Sequence, residues 1–133
     1  MSHLGDLSQW TPVCRVEDIP VLGARTVRRP VGLDVAIFRN AEGGVFALLD
    51  RCPHKGGPLS QGIVFDERVA CPLHNWTIGL TDGCAQAPDE GCTPRFALRV
   101  VDGVVHLHAL ELATHATGLT RPIAGPATRR VPA

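Results

Sequence analysis

Cys52-Pro53-His54 and Cys71-Pro72-Leu73-His74 are the two stretches that decide the chemistry of this chain, and sixteen residues separate His54 from Cys71. Each stretch offers one thiolate and one imidazole. Two sulfur ligands and two nitrogen ligands can hold a [2Fe–2S] cluster, with the cysteines on one iron and the histidines on the other. The same four side chains could hold one zinc ion, so the spacing has to discriminate between the two metal centres.

The order of the ligands favours the iron–sulfur cluster over zinc. A structural zinc site usually takes its cysteines as one closely spaced pair and its histidines as another. Here each pair is mixed, with one residue between Cys52 and His54 and two between Cys71 and His74. Mixed pairs suit a two-iron centre, because each loop can send its thiolate to one iron and its imidazole to the other. The alternatives are a zinc knuckle, and a Cys52–Cys71 disulfide beside two surface histidines.

Longer stretches around these residues resemble a known family. C-x-H, sixteen residues and then C-x-x-H is the Rieske motif, and the chain from Trp10 to about Ala109 looks like a whole small Rieske domain. The sequences DRCPHKGGPLSQGIV at 50–64, CPLHNW at 71–76 and DEGC at 89–92 are similar to the small subunit of NAD(P)H-dependent assimilatory nitrite reductase. Asn75 also follows that subunit, whereas many Rieske ferredoxins and oxygenases have glycine at this position.

The resemblance implies a function and a partner. It implies that Cys52, His54, Cys71 and His74 bind a Rieske-type [2Fe–2S] cluster. The chain would then be an electron-transfer subunit of an oxidoreductase, with no catalytic site of its own. The implied partner is the large nitrite reductase subunit, which carries flavin, a [4Fe–4S] cluster and sirohaem and reduces nitrite to ammonia with electrons from NAD(P)H. A free Rieske-type ferredoxin that supplies electrons to an oxygenase is the alternative, and a zinc-stabilised interaction module is the third hypothesis.

Composition limits the other possibilities. The chain has 133 residues, 44% of them hydrophobic, which corresponds to one globular domain. Its apolar runs are too short for a membrane-spanning helix, and a single lysine with zero net charge argues against nucleic acid binding. No signal peptide is visible, so we expect a cytoplasmic protein, in which disulfides are rare. Cys84 and Cys92 flank a loop, but this compartment argues against a bond between them.

Turn signals divide the chain into nine short strands, a pattern typical of an all-β fold. The clearest hairpin signal is Asp102-Gly103. We predict an antiparallel β-sandwich of the Rieske type, with a small cluster-binding subdomain made of the two ligand loops. The predicted strands are Thr11–Val16, Ala24–Arg28, Val35–Arg39, Val45–Asp50, Ile63–Phe65, Arg68–Ala70, Thr77–Leu80, Arg95–Val101 and Val104–Ala109.

The predicted domain covers residues 1–113, with a flexible tail at 114–133. The tail contains three arginines and no acidic residue, so it carries a charge of +3 against −3 on the rest of the chain. Within the domain we expect the ligand loops at about 51–60 and 70–78, and the resemblance implies a covering loop at about 84–92. His106 and His108 share one face of the last strand. We expect an edge or surface face there, with a second metal site as the alternative.

The ligand set also predicts the reduction potential of the cluster. Two ferric ions, two sulfides and two thiolates sum to zero charge, so an electron adds more easily than to a four-thiolate cluster. High-potential respiratory Rieske proteins add a disulfide and hydroxyl donors, whose positions here correspond to Gly57, Leu73, Trp76 and Ile78. We therefore expect a midpoint of roughly −150 to 0 mV in a redox titration, and a midpoint above about +150 mV would contradict this argument.

Overall fold

The computed structural model describes residues 9–53, 57–72 and 76–118. Within them, nine strands form three antiparallel sheets of three strands each, with the orders β1–β9–β8, β2–β3–β4 and β5–β6–β7. This confirms the predicted all-β, antiparallel fold. The strands are β1 Trp10–Arg15, β2 Gly23–Val27, β3 Val35–Arg39, β4 Val45–Leu49, β5 Ile63–Phe65, β6 Arg68–Ala70, β7 Thr77–Gly79, β8 Leu98–Val101 and β9 Val104–His108.

The β2–β3–β4 sheet is covered on both faces. Ala36 and Phe38 of β3 pack into one apolar cluster, together with buried residues of β5–β7 and of the chain segments around them. Val35 and Ile37 alternate with them and pack into a second cluster, together with Val105 and Leu107 of β9. Strand residues point alternately to opposite faces, so β3 is buried along nearly its whole length because a layer of protein lies on each side.

The hairpin turns follow from residues that accept a left-handed backbone. Asp102 has φ 52° and Gly103 has φ 77°, which is the backbone of a type I′ turn between β8 and β9. Asp66 has φ 52° in the turn between β5 and β6. Short hairpins therefore join both pairs of strands, as the sequence predicts.

The predicted strand Arg95–Val101 is divided between two sheets. Its first part runs beside β4, since the Phe96 N–H donates to the Ala47 carbonyl at 3.0 Å and Leu48 and Arg95 form an isolated β-bridge. Only the second part, β8 at Leu98–Val101, pairs with β9. The prediction of one continuous strand was wrong, because the chain changes its pairing partner between these segments.

The end of the described chain is held against the sheets. A helix, α1 at Ala109–Thr114, follows β9. The Arg29 guanidinium then donates to the carbonyls of His115 at 2.5 Å and Ala116 at 3.3 Å, and lies 5.0 Å from the centre of the Phe96 ring. Burial lowers the pKa of Arg29, partly offset by Asp34. The predicted tail beyond residue 118 lies outside the described residues.

The two histidines of β9 do not lie on an edge strand. β9 is the middle strand of its sheet, and His106 is only 7% exposed, with Nδ1 3.1 Å from the Val104 carbonyl oxygen. The expectation of an edge strand was wrong, because both β1 and β8 pair with β9. The expectation of a surface face was wrong for His106, which is buried, whereas His108 on the same face is partly exposed. None of the helices in the described part of the chain has the length and apolar character that crossing a membrane requires.

Candidate metal centre

The two predicted ligand loops close in the same way. The Cys52 N–H donates to the Gly57 carbonyl at 2.7 Å, and the Cys71 N–H donates to the Trp76 carbonyl at 2.7 Å. Each cysteine therefore starts a loop whose end returns to it five residues later. The first loop joins β4 to β5 and so connects two sheets. The second joins β6 to β7, which are neighbouring strands of one sheet. His54 and His74 belong to these loops but lie outside the described residues.

Cys52 and Cys71 are buried together. Each is 0% exposed, and both belong to the apolar cluster that covers one face of the β2–β3–β4 sheet. Trp76 is partly buried and packs against the same apolar cluster. Neither cysteine takes part in a disulfide, which rules out the Cys52–Cys71 bond considered from the sequence.

The first loop is fixed at its base by a carboxylate. Asp50, directly after β4, accepts hydrogen bonds from the Ser60 backbone N–H at 2.7 Å and from the Ser60 hydroxyl at 2.8 Å. The residue between Asp50 and Cys52 is Arg51, which is only 6% exposed and whose Nε has no hydrogen-bond partner. Sequence patterns missed the Asp50–Ser60 contact, because no motif connects a carboxylate to a serine ten residues later.

The loop at 84–92 lies against the first ligand loop and against the strand that follows the second. A Cβ atom built on Gly91 would lie 3.2 Å from Cβ of Pro53, which shows how closely the two loops approach. On its other side, the Gln86 N–H donates to the Thr77 carbonyl of β7 at 2.8 Å. We call residues 84–92 the covering loop, since they contact the protein on both sides of the candidate site.

Cys84 and Cys92 form a disulfide across the base of the covering loop. The expectation that they are not bonded was wrong. They face each other as an isolated antiparallel bridge, so the backbone brings them together regardless of the redox conditions assumed from composition. The signal available in the sequence was two cysteines flanking a loop that contains Pro88 and Gly91.

Within the described ranges, no group of three or more His, Cys, Asp or Glu side chains is arranged to hold a metal ion. Two of the four predicted ligands fall outside those ranges, so the described part of the site consists of the two thiols. Cys52 and Cys71 are both buried, and neither forms a disulfide. Iron–sulfur clusters use such thiolate ligands. The described residues therefore fit such a cluster.

Comparison with known proteins supplies the family. The model of the Rieske [2Fe-2S] domain matches residues 9–100. The chain belongs to the Rieske [2Fe-2S] domain family. A Rieske-type [2Fe–2S] cluster is accordingly its cofactor, as the mixed cysteine–histidine spacing predicts, and the chain is an electron-transfer domain associated with oxidoreductases.

Three relatives match most of this chain over most of their own length. The ferredoxin subunit of 3-phenylpropionate/cinnamic acid dioxygenase from Photorhabdus laumondii is 36% identical, covering 74% of this chain and 93% of the relative. A solved structure described provisionally as the NADH-dependent nitrite reductase small subunit of Mycobacterium tuberculosis is 28% identical, with a TM-score of 0.66, covering 74% of this chain and 92% of that one. Another, described provisionally as an NADPH nitrite reductase small subunit, is 29% identical, with a TM-score of 0.65, covering 74% and 96%.

Several curated relatives are much larger proteins. The chain spans 15% of the length of a 4beta-methylsterol monooxygenase from Methylococcus capsulatus and 15% of the oxidoreductase NdmD from Pseudomonas putida. In such proteins the shared part is one segment among others. The activities of these larger proteins therefore do not establish the activity of this chain.

The Asp50–Ser60 contact gives a prediction about the first ligand loop. Asp50→Ala removes both acceptors and is expected to lower the free energy of unfolding by about 2 kcal/mol. Ser60→Ala is the matched control, because it removes the hydroxyl donor and keeps the backbone donor, so it should cost about 1 kcal/mol. Urea unfolding of the whole chain measures both values. Equal losses in the two variants would show that the backbone bond to Asp50 contributes nothing.

Gly91 gives a prediction about the covering loop. Gly91→Ala adds a methyl group against Pro53, and we expect it to speed loss of the cluster to a chelator by about threefold or more, since the covering loop must move away. Gly43→Ala is the control, because Gly43 also has a positive φ, 87° against 127°, but a Cβ there would meet nothing within 4 Å. Visible absorbance follows cluster loss. Similar rates in both variants would mean that backbone strain alone is responsible.

Proposed function

We propose that this chain is the electron-transfer small subunit of an NAD(P)H-dependent nitrite reductase, the enzyme that reduces nitrite to ammonia. The observation that carries the proposal is the covering loop, which contains the DEGC sequence at 89–92. This sequence resembles that of the nitrite reductase small subunit. Glycine suits position 91, because a side chain there would be strained at φ 127° and its Cβ would lie 3.2 Å from Cβ of Pro53. Two relatives described as small subunits of that enzyme support the same function.

In this proposal, Cys52, His54, Cys71 and His74 hold the cluster. The bound cluster supplies the chemistry, which is the uptake and release of one electron. The protein positions the two thiolates by closing each loop on its own cysteine N–H, and it excludes water from both sulfur atoms by burying them at 0% exposure. Asp50 holds the first loop through Ser60, and the covering loop packs against Pro53. We place the cluster-binding loops at 51–60 and 70–78 of a domain covering residues 1–113, followed by the tail at 114–133.

The proposed partner is the large flavin- and sirohaem-containing subunit, and the proposed compartment is the cytoplasm. The chain itself has no assigned catalytic residue in this scheme, so NAD(P)H oxidation and nitrite reduction take place on the partner. Electron transfer then depends on contact between the two subunits. The experiment has to test that contact and the electron transfer separately.

A second function has its own supporting observation. The 36% identical relative that covers most of this chain is a dioxygenase ferredoxin subunit. A free Rieske-type ferredoxin that supplies an oxygenase would use the same ligand set and the same buried thiols. The two functions differ in the partner protein and in the substrate that this partner consumes.

Affinity purification of the whole tagged chain from its own cells is expected to recover the large nitrite reductase subunit. The purified pair should oxidise NAD(P)H in the presence of nitrite and form ammonium. Cys52→Ser is expected to remain bound to the partner but to lose most of this activity, because the cluster is not assembled. Cys14→Ser is the control, since Cys14 packs against the second apolar cluster, on the other side of the β2–β3–β4 sheet.

Two outcomes would contradict the proposed function. Recovery of an oxygenase that turns over only with this chain would favour the ferredoxin alternative. Full nitrite reduction with Cys52→Ser would mean that the chain stabilises the complex without transferring electrons.

A further inference from the structure

The disulfide of the covering loop is accessible from solvent. Cys92 is exposed and Cys84 is partly exposed. By contrast, Cys52 and Cys71 are completely buried, and partial burial raises the pKa of the Cys14 thiol above its ordinary value. A thiolate that attacks a disulfide needs direct access to one sulfur atom. Among the five cysteines, the Cys84–Cys92 pair is therefore the one placed to react with an external thiol, with Cys92 as the exposed side.

Backbone hydrogen bonds flank the two cysteines and add to the sulfur–sulfur bond in holding them opposite each other. On one side of the pair, the Ala85 N–H donates to the Gly91 carbonyl at 2.8 Å. On the other side, the Thr93 N–H donates to the Gly83 carbonyl at 2.8 Å. The cysteines lie between these two hydrogen bonds, so two thiols formed by reduction stay close enough to reoxidise.

The surroundings of Cys84 also suit the reduced state. Its Sγ lies 3.4 Å from the carbonyl oxygen of Asp82, which can accept a hydrogen bond from a Cys84 thiol. Its backbone N–H donates to the Asp82 carboxylate at 2.9 Å, which holds the residue in place independently of its sulfur. Attack on the sulfur of Cys92, the more exposed residue of the pair, would therefore release Cys84 as a thiolate that, once protonated, has a hydrogen-bond acceptor in reach.

Opening this bond would act on the covering loop. The disulfide joins residues eight positions apart, and a covalent ring of this kind restricts the conformations of the segment it closes. That segment contains Gly91, against Pro53, and Gln86, which is bonded to Thr77. Without the ring, both contacts depend on hydrogen bonds and packing alone.

We propose that Cys84–Cys92 is a reversible thiol-exchange site that sets how firmly the covering loop is held over the ligand loops. The co-reactant is a dithiol. Its two thiols lose their protons and form a disulfide, while the sulfur–sulfur bond between Cys84 and Cys92 breaks and each sulfur gains one proton. Two electrons pass from the dithiol to the protein. The exchange itself does not depend on the proposed function; its consequence for the cluster rests on the proposed ligands.

The test uses the whole cluster-containing chain without oxygen, treated with dithiothreitol, desalted and alkylated with iodoacetamide. Peptide mass analysis is expected to find new adducts on both Cys84 and Cys92, with less reaction at Cys14. Hydrogen exchange of the amides in 85–91 should become about threefold faster or more after reduction, because the ring no longer restrains the loop. Oxidation with diamide should restore the original rate.

Two variants distinguish the effect of reducing the disulfide from other effects of dithiothreitol. The double variant Cys84→Ser/Cys92→Ser should show the faster exchange with or without dithiothreitol, whereas Cys14→Ser should respond like the unmodified chain. Release of the cluster to a chelator, followed by absorbance, should accelerate in parallel with loop exchange. The hydrogen-exchange measurement needs neither the cluster nor a partner, so it tests the disulfide even if the proposed function is wrong.

Three results would overturn the proposal. The first is the absence of adducts on Cys84 and Cys92 after treatment that leaves the chain folded. The second is adduct formation with unchanged hydrogen exchange in the covering loop. The third is faster loop exchange with a cluster-release rate that stays within about twofold of the oxidised form.

Discussion

The structure depends on the closure of two loops over a shared apolar cluster. In each loop the N–H of a buried cysteine donates to a carbonyl five residues later, at 2.7 Å. Because both sulfur atoms are completely buried, the loops have to be held in place by the protein rather than by solvent. The apolar cluster consists of residues from the β5–β6–β7 sheet, from one face of the β2–β3–β4 sheet and from the segments around them. The rest of the molecule stabilises this arrangement from outside.

Three outer contacts contribute to that support. Asp50 fixes the start of the first loop, and the Gly91–Pro53 contact places the covering loop beside it. On the far side, Arg29 connects the end of the described chain to the sheets through the His115 carbonyl. These contacts join segments that are distant in sequence.

Much of the fold was predictable from local patterns. Short apolar runs separated by turn residues gave nine strands, and Asp102-Gly103 identified a hairpin whose backbone needs left-handed residues. The pairing between strands was not predictable from these patterns. Arg95 and Phe96 pair with β4 instead of continuing β8, and β9 is the middle strand of its sheet instead of an edge strand. Period-two patterns show which residues share a face, but they do not show which strand pairs with which.

The candidate site was predictable for a different reason. Metal ligands combine a rare residue type with a fixed spacing, so the sequence predicts one centre for Cys52 and Cys71, and the structure buries both in one apolar cluster. The contacts that support them use common residues, such as Asp50 with Ser60, and no spacing rule reveals them. The disulfide follows from the backbone geometry that places Cys84 directly opposite Cys92, which the sequence does not show.

The central claim is that two cysteines and two histidines share one two-iron centre. Electron paramagnetic resonance of the reduced whole chain, combined with iron, zinc and acid-labile sulfide analysis, tests it most directly. We expect a Rieske-type signal with equal amounts of iron and sulfide, abolished in Cys52→Ser and His74→Ala and retained in Cys14→Ser. Zinc without sulfide, or an unchanged signal in either ligand variant, would contradict it.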